Sequence, residues 1–299
     1  MEAVVTAYHH RDQPLIVITG PTASGKSGLA IELARKYNGE IICADSRTVY
    51  KGMDIGTAKP TERDQECVRH HLLDVVEPGD RFTVADFQQR ARNAIADIRS
   101  RGAIPFMVGG TGLYIDSVLL DYTFGEDGLS PMRKYYEQFS VNELQMMIKN
   151  QQIPLPENDK NKRHLIRVLE QRRINQQRRI SPGKSSFVVA ISTDNTLLEN
   201  RIKHRADEMF ALGVVKETEE LVARFGWQHE SLSGNIYPII RRYLNKEISL
   251  DEAKVLFVRK DRQLAKRQVT WLKRHEFVKW LSLEDASEYL EGVLYTATH

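Results

Sequence analysis

One stretch near the N-terminus, GPTASGKS, limits the fold more than any other feature of the chain. It matches the phosphate-binding motif G-x-x-x-x-G-K-[ST] and occupies residues 20–27. The preceding residues Leu15–Thr19 form a short apolar, β-branched run that predicts a buried strand. From Ser27 to Tyr37 apolar side chains recur at helical spacing, and Asn38-Gly39 ends the pattern. A strand, a glycine-rich loop and a helix in this order form the context in which the motif binds phosphate.

Each residue type in this loop suits an anion. Glycines permit tight turns, so successive backbone N–H groups can point at one phosphate, and the helix N-terminus adds partial positive charge. Lys26 supplies a point charge, and the Ser27 hydroxyl can bind a Mg²⁺ ion that bridges phosphate oxygens. A chance match in an ordinary turn is the alternative. We predict a bound di- or triphosphate, which the motif does not identify further. The predicted binding residues are Gly20, Pro21, Thr22, Ala23, Ser24, Gly25, Lys26 and Ser27.

Further apolar runs predict the rest of a sheet. Glu40–Ala44 and Ile104–Gly110 have the composition of a second and a third strand, and Ser186–Thr193 that of a later one. A helix is expected over Val84–Arg101, between the second strand and the third. Strands that alternate with helices indicate a parallel, doubly wound sheet, so the sequence predicts an α/β fold.

The composition changes after the third strand. Residues 122–184 are rich in Gln, Asn, Lys and Arg and contain IPLPEND. We interpret them as a small helical insertion domain, which leaves residues 1–121 and 185–299 as the core. After Thr193 the chain has helical spacing to about Trp280, so a helical C-terminal region is predicted.

Two loops follow predicted strands at the edge of the sheet where the phosphate motif lies. Asp45 comes just after the second strand, and GGTGLY, residues 109–114, follows the third. In open parallel sheets the carboxyl ends of the strands face the ligand crevice, so these loops are expected beside the phosphate. Asp45 can accept a proton or bind a metal there, and Thr111 offers a hydroxyl. The local alternative for Asp45 is a cap on the next segment.

Positive charge is concentrated in two segments, although the net charge is only +3. RKDRQLAKRQVTWLKR, residues 259–274, holds seven basic residues and one acid. At 100° per residue the basic residues cover an arc of about 160°, with the apolar residues opposite. The pattern predicts a helix with one buried face and one face that meets phosphates; a merely solvated cationic face is the alternative. The second cluster consists of Lys162, Arg163, Arg167, Arg172, Arg173, Arg178 and Arg179. Two such clusters favour a polyanion over a free nucleotide.

The motifs together resemble those of one family. GPTASGKS, ADSRTVYKGMDIGTAKPT, VGGTGLY and AKRQVTWLKR are similar, in this order, to the motifs of tRNA dimethylallyltransferases, also called tRNA isopentenyltransferases or IPP transferases. The resemblance runs from about Leu15 to Arg274 and implies a P-loop NTPase-like parallel sheet flanked by helices. The insertion is shorter than is usual in the family, and no C-terminal zinc finger follows, so we expect the bacterial type.

The resemblance implies a diphosphate that leaves, rather than a phosphoryl group that moves. The implied donor is dimethylallyl diphosphate, held with Mg²⁺. The implied acceptor is N6 of adenine 37, beside the anticodon of tRNAs that read codons beginning with U. Asp45 matches the family's general base, Thr111 a residue at the reacting centre, and Arg205 a diphosphate-binding arginine. Local reasoning alone favours a surface Arg205 paired with Asp207 or Glu208. The residues matched to tRNA binding are Asp45, Ser46, Arg47, Thr48, Arg163, Arg167, Lys266, Arg267, Gln268, Trp271, Lys273 and Arg274.

Departures from the family motifs fall in the half that resembles the acceptor site. Thr48 stands where the family usually has Gln, and QRRINQQRRIS, residues 171–181, lacks the usual Thr-Gly. GNIYPIIRRYL, residues 234–244, keeps a tyrosine but differs beside it. The residues matched to the donor and to catalysis are intact, so the resemblance implies activity.

Three other functions stand as hypotheses. An enzyme of the same chemistry could act on free AMP or ADP, but it would leave both basic clusters without a role. A small-molecule P-loop kinase would consume ATP, transfer a phosphoryl group and give KRQVTW no part. A noncatalytic RNA-binding protein would tolerate the loss of Asp45.

Composition argues against several classes. Two cysteines, Cys43 and Cys67, are too few for a disulfide framework, which fits a reducing compartment. No run reaches the ~18 apolar residues that a membrane span needs, and the first 14 residues contain no apolar signal segment. We therefore expect a cytoplasmic monomer that does not bind membranes.

Overall fold

The computed structural model describes residues 13–124, 132–156, 158–171, 176–177, 179–234 and 236–298. Contacts between residues divide the chain into two compact units, Met1–Leu119 with Ser181–His299 and Leu120–Ile180. Among the described helices, none is both long and apolar enough to cross a membrane.

A parallel sheet is the frame of the larger unit. Its strands are ordered β3-β2-β4-β1-β7-β8, and every neighbouring pair is parallel. The smaller unit holds an antiparallel pair, β5 with β6. In chain order the described strands are β1 (Leu15–Thr19), β2 (Gly39–Cys43), β3 (His70–His71), β4 (Ile104–Gly109), β5 (Tyr122–Thr123), β6 (Gln176–Gln177), β7 (Ser186–Ile191) and β8 (Lys279–Leu281).

Helices connect these strands. In chain order the described helices are α1 (Lys26–Lys36), α2 (Glu62–Cys67), α3 (Val84–Ser100), α4 (Gly112–Leu119), α5 (Arg133–Tyr136), α6 (Val141–Asn150), α7 (Lys162–Gln171), α8 (Asn195–Ala211), α9 (Val214–Phe225), α10 (Tyr237–Leu244), α11 (Leu250–Leu272) and α12 (Leu283–Thr298). A short 3₁₀ turn, Glu230–Ser233, lies between α9 and α10.

β1 lies inside the sheet, between β4 and β7. All five of its residues are buried, as expected for a parallel strand whose two faces are both covered. Ile16 and Ile18 belong to one apolar core with Leu33 of α1 and Leu290 of α12. The strand predicted at Leu15–Thr19 is therefore confirmed.

The parallel arrangement brings three loops to one edge of the sheet. β1 ends at Thr19, which lies opposite Gly109 at the end of β4. β2 ends at Cys43, which lies opposite Val108 of β4. The loops after β1, β2 and β4 therefore start side by side, where the sequence predicts the phosphate site.

The predicted α/β class is confirmed, and the ends of the four predicted strands agree with the observed ends to within two residues. The helical region predicted from Thr193 to about Trp280, with turns near FGWQHESLSGN and NKEIS, is observed except at its end. Lys279–Leu281 forms β8, which pairs with Val189–Ile191 of β7. Three residues are too few to show a strand period, and this strand forms because β7 offers it a sheet edge.

The smaller unit has an apolar core of its own. Leu144 and Ile148 of α6 pack with Leu165 and Leu169 of α7. The helices α5, α6 and α7 agree with the predicted small helical insertion. Three members of the second basic cluster lie outside the described residues, namely Arg172, Arg173 and Arg178.

Candidate active site

The loop after β1, residues 20–27, makes the sharp turns that a phosphate cradle requires. Gly20, Ala23 and Gly25 have φ angles of 138°, 61° and 92°, a region that L side chains rarely adopt. A Cβ at Gly20 would lie 3.1 Å from the backbone N and O of Ile191. Gly25 caps α1, so the loop runs directly into the N-terminus of a helix. We call residues 20–27 the P-loop below.

Side chains from two helices that are far from the P-loop in sequence, α8 and α11, hold it in place. Arg201 of α8 donates from Nη1 to the carbonyl of Ser24 at 3.1 Å, and Arg205, one turn later, donates from Nη1 to Thr22 Oγ1. From α11, Gln268 Oε1 accepts the backbone N–H of Thr22 at 2.8 Å. Arg201 was missed by the sequence reasoning, although its i, i+4 spacing from Arg205 puts both on one face of a helix.

Lys26 lies in an electrostatically unusual position. Its Nζ donates to the carbonyl of Pro21 at 3.1 Å. Burial, helped by the charge of Arg205, lowers the pKa of Lys26 to about 8, while Asp45 and Asp261 oppose the shift. An anion beside Lys26 would favour its protonated form, so ligand binding and protonation are linked at this residue.

Arg205 does not make the surface pairs that local reasoning favours. Asp207 pairs with Lys254 at 2.7 Å and Glu208 with His204 at 3.2 Å. Arg205 instead lies with its Nη1 3.8 Å from Asp261 Oδ2, and the Asp261 side chain is only 4% exposed. Asp261, the one acid of the basic segment 259–274, therefore faces an arginine beside the P-loop.

Two buried polar atoms at the P-loop are candidates for binding a ligand. Arg205 Nε and Ser24 Oγ are buried and have no hydrogen-bond partner within the described part of the chain. Buried polar atoms are normally paired, because leaving one unpaired is unfavourable. A guanidinium N–H and a hydroxyl beside a lysine are donors that suit phosphate oxygens.

Asp45 and Thr111 lie on the two loops next to the P-loop. Asp45 Oδ1 accepts the N–H of Arg47 at 2.8 Å, and Thr111 Oγ1 accepts the N–H of Ser46 at 3.0 Å. The loops approach closely because Gly109 has no side chain, since a Cβ there would lie 2.1 Å from the carbonyl oxygen of Ala44. The backbone thus holds both candidate catalytic groups in place.

These groups share one cavity of about 650 Å³. The sequence-predicted residues that line it are Thr22, Ala23, Ser24, Gly25, Lys26, Ser27, Asp45, Ser46, Arg47, Thr48, Thr111, Arg205, Arg267 and Gln268. The structure therefore brings a phosphate loop, a carboxylate and a hydroxyl together around one space.

Two of the cavity residues matched to tRNA binding, Arg47 and Thr48, are involved in the protein's own structure. Arg47 donates from Nη1 to the carbonyls of Glu230 and Ser231, at 2.9 and 3.2 Å, and so holds the 3₁₀ turn against the loop after β2. Thr48 is buried, and its Oγ1 has no hydrogen-bond partner among the described residues. Thr48 therefore contributes a buried hydroxyl to the cavity wall.

The basic helix α11 has one buried face and one exposed basic face, as the sequence predicts. It ends at Leu272 rather than near Arg274. Phe257, Asp261 and Ala265 are buried, and Arg267 reaches the cavity. Several of its cations are exposed and are here called the cationic face: Arg259, Lys260, Arg262, Lys266 and Arg267.

Within the larger unit, four residues matched to tRNA binding lie outside the described lining of the cavity: Lys266, Trp271, Lys273 and Arg274. Trp271 donates from Nε1 to Asp116 Oδ2 at 2.7 Å, and Arg274 stacks over its ring at 4.1 Å from the centroid. Gly112 makes room for the indole, because a Cβ there would lie 2.2 Å from Trp271 Cδ1. Trp271 therefore joins α11 to α4.

Asp116 was missed by the sequence reasoning, which gave no role to an acid within an apolar helix. It is 2% exposed and also lies 3.0 Å from His275 Nε2. Burial raises its pKa, while the nearby His275 and the Trp271 N–H oppose the rise. The carboxylate thus fixes the C-terminal end of α11.

Glu217 of α9 is another residue that the sequence did not reveal. Its carboxylate accepts the backbone N–H groups of Asp54, Ile55 and Gly56 at 2.9, 2.6 and 2.9 Å, and the hydroxyl of Tyr237 at 3.0 Å. Gly56 and Tyr237 line the cavity. Glu217 therefore supports part of the cavity wall without being part of any motif itself.

The remaining two matched residues belong to the smaller unit. Arg163 and Arg167 lie on α7, the first exposed and the second half-buried. Their roles toward RNA stay predictions.

The site and the fold define a class: an α/β protein with a P-loop at the carboxyl edge of a parallel sheet. Residues 48–275 match the family model described as IPP transferase, and the chain belongs to the IPP transferase family.

Individual relatives agree over nearly the whole chain. The tRNA dimethylallyltransferase of Pelotomaculum thermopropionicum is 35% identical over 294 residues, which cover 93% of this chain and 94% of the relative. That of Moorella thermoacetica is 38% identical over 293 residues, covering 91% and 90%. A solved tRNA isopentenylpyrophosphate transferase of Bacillus halodurans superposes with a TM-score of 0.72 at 31% identity, covering 96% of this chain and 98% of that one.

Proposed function

We propose that the protein transfers a dimethylallyl group from dimethylallyl diphosphate to N6 of adenine 37 in tRNAs that read codons beginning with U. The C–O bond to the diphosphate breaks and its electron pair leaves with the diphosphate. A C–N bond forms to N6, which loses one proton. The observation that carries this proposal is the single cavity in which the P-loop, Asp45 and Thr111 meet.

The P-loop suits the leaving diphosphate. As the allylic carbon develops positive charge, negative charge accumulates on the departing oxygens, and donors aimed at those oxygens lower the barrier. Lys26, together with the Nε of Arg205 and the hydroxyl of Ser24, which have no partner among the described residues, would supply such donors. Arg201 and Gln268 hold the loop, so the donors are in place before the charge appears.

A Mg²⁺ ion is part of the proposal. Among the described residues no group of three His, Cys, Asp or Glu side chains could hold a metal ion, so the protein would contribute the Ser27 hydroxyl and the ligand its phosphate oxygens. Ser27 is exposed at the start of α1, where an ion could reach it. When bound, the ion would neutralise charge on the diphosphate.

Asp45 is assigned the role of general base. The N6 amine is a weak nucleophile because its lone pair is delocalised into the ring, so removing its proton as the C–N bond forms assists attack. The hydrogen bond from Arg47 N–H orients the carboxylate. Thr111, fixed by Ser46 N–H, lies on the neighbouring loop of the same cavity.

The cationic face of α11 suits a polyanion rather than a mononucleotide. It includes Arg267, which also reaches the cavity, so a backbone bound along the helix would lead toward the reacting groups. Adenine 37 would have to leave its stack to reach them. Arg163 and Arg167 of the smaller unit are proposed as further contacts to the tRNA.

The test is to incubate the protein, Mg²⁺ and labelled dimethylallyl diphosphate with unmodified tRNA, and in parallel with AMP and with ADP. We expect label in tRNA alone. Label in AMP or ADP would replace the acceptor with a free nucleotide. Label in none of the three, with transfer of the γ-phosphate of ATP to a small molecule instead, would support a kinase.

A further inference from the structure

Gln268 lies where the P-loop and the loop after β4 come together. Its Oε1 accepts the N–H of Thr22 at 2.8 Å. Its Nε2 borders Gly110, since a Cβ built there would lie 2.2 Å from that nitrogen. One side chain thus touches the loop predicted to hold diphosphate and the loop that carries Thr111.

Gln268 belongs to the same helix as the cationic face. Lys266 and Arg267 immediately precede it and are exposed. A force that moves this turn of α11 would therefore move the acceptor of the Thr22 N–H.

Thr22 is held from two sides. Gln268 accepts its backbone N–H, and Arg205 donates to its Oγ1. Arg205 in turn faces Asp261 of α11 at 3.8 Å. The conformation of the P-loop at Thr22 is thus tied twice to α11, and Trp271 ties the same helix to Asp116 at 2.7 Å.

We propose that Gln268 is a positioning residue that couples the binding of tRNA on α11 to the binding of diphosphate in the P-loop. The inference rests on the proposed function, because it takes the cationic face as the tRNA surface. When RNA stabilises α11, Gln268 stabilises the P-loop in the shape that binds diphosphate. Linkage makes the effect reciprocal: diphosphate raises the affinity for tRNA by the same factor.

The test compares Gln268→Ala with Gln263→Ala, an exposed glutamine on the same helix. The Kd of inorganic diphosphate with Mg²⁺ is measured by calorimetry, without and with saturating unmodified tRNA. We expect tRNA to tighten diphosphate binding at least about fivefold in the wild type and in Gln263→Ala. In Gln268→Ala we expect diphosphate binding about tenfold weaker, because one buried N–H loses its acceptor, and a tRNA effect reduced to within about twofold.

Gly110→Ala provides a second variant that leaves Gln268 in the chain. The added methyl would displace the flexible end of Gln268, so it should weaken diphosphate binding in the same direction. The double variant should bind no more weakly than Gln268→Ala alone, because both changes remove one interaction. Additive losses would contradict this.

The outcomes are distinct. If Gln268→Ala keeps the full tRNA effect, even with weaker diphosphate binding, Gln268 is only structural and the inference is overturned. It is equally overturned if tRNA leaves diphosphate binding by the wild type unchanged. A wild type that binds no diphosphate at all would overturn the proposed function, and the inference with it.

Discussion

The P-loop and the cationic face of α11 both present positive charge, but in different environments. At the P-loop, Lys26 donates a hydrogen bond to the carbonyl of Pro21, and its pKa is lowered to about 8. The Arg205 side chain is 24% exposed. On α11, Lys266 and Arg267 are exposed to solvent. The first set has fixed geometry in a region of low dielectric constant, and the second is screened by water and salt.

The difference indicates how each region would act. Fixed, partly buried donors can stabilise charge that develops at one point, so substitutions there should change rates and affinities strongly and depend on geometry. Exposed cations attract a polyanion without requiring a single geometry, so substitutions there should have small effects that depend on salt. Four predictions test this contrast.

The largest effect is expected at Asp45. Asp45→Ala and Asp45→Asn should each lower the single-turnover rate by about 10²–10⁴ with little loss of tRNA affinity, because both remove the base. Asparagine keeps an oxygen that can accept the N–H of Arg47. Asp45→Asn therefore distinguishes the loss of the base from a change in the structure of the loop. Full activity in Asp45→Asn would mean that another group takes the proton.

Arg205→Ala should weaken diphosphate binding by about 10- to 100-fold, since it removes a charged donor beside the P-loop. Arg205→Lys should recover only part of the affinity, because an ammonium cannot reproduce the planar fork. Lys203→Ala is the matched control, since Lys203 is exposed on the same helix and pairs with Glu199 at 3.1 Å. Equal losses in Arg205→Ala and Lys203→Ala would show that net charge, not position, matters.

The pH dependence of donor binding should report on Lys26. Below pH 8 the residue is charged without ligand, so affinity should vary little on its account. Above pH 8 it is neutral in the free protein and must take up a proton to meet the anion, so affinity should fall by up to about tenfold per pH unit. In Lys26→Arg this component should be absent, because arginine stays charged. Titrations of both proteins with dimethylallyl diphosphate should therefore diverge above pH 8; parallel curves would exclude the linkage.

The smallest effects are expected on the cationic face. Lys266→Ala or Arg267→Ala should weaken tRNA binding and lower the slope of log K against log salt by about one unit. Arg262→Ala should change the slope less, because Arg262 already pairs with Glu199 at 3.1 Å. The slopes of all three variants are measured in the same salt series and compared with that of the wild type. An unchanged slope in Lys266→Ala would mean that the RNA binds elsewhere.

The sequence predicted well those elements whose signals are local. The strand Leu15–Thr19, the P-loop and the start of α1 follow from neighbouring residues, because backbone conformation and helical periodicity depend on short separations. β8 has only three residues and no such signal, so it depended on the exposed edge of β7. Glu217 likewise binds residues about 160 positions earlier in the chain and left no local sign.

The site residues show the same division. The motifs predicted that Asp45, Thr111 and Lys26 would come to one edge of a sheet, and the structure places all three on one cavity. Their catalytic and binding roles stay predictions. For Gln268 and Trp271 the structure adds internal bonds, to Thr22 and to Asp116, that the motif did not predict.

By itself, then, the sequence determined the α/β class, the phosphate-binding loop and the family, because each rests on residues close together or on motifs in a fixed order. Only the tertiary structure decided which side chains hold the P-loop. Gln268 and Thr22 are 246 residues apart, and Arg205 and Thr22 are 183 apart. Contacts at such separations depend on how α8 and α11 pack against the sheet, which no local pattern specifies.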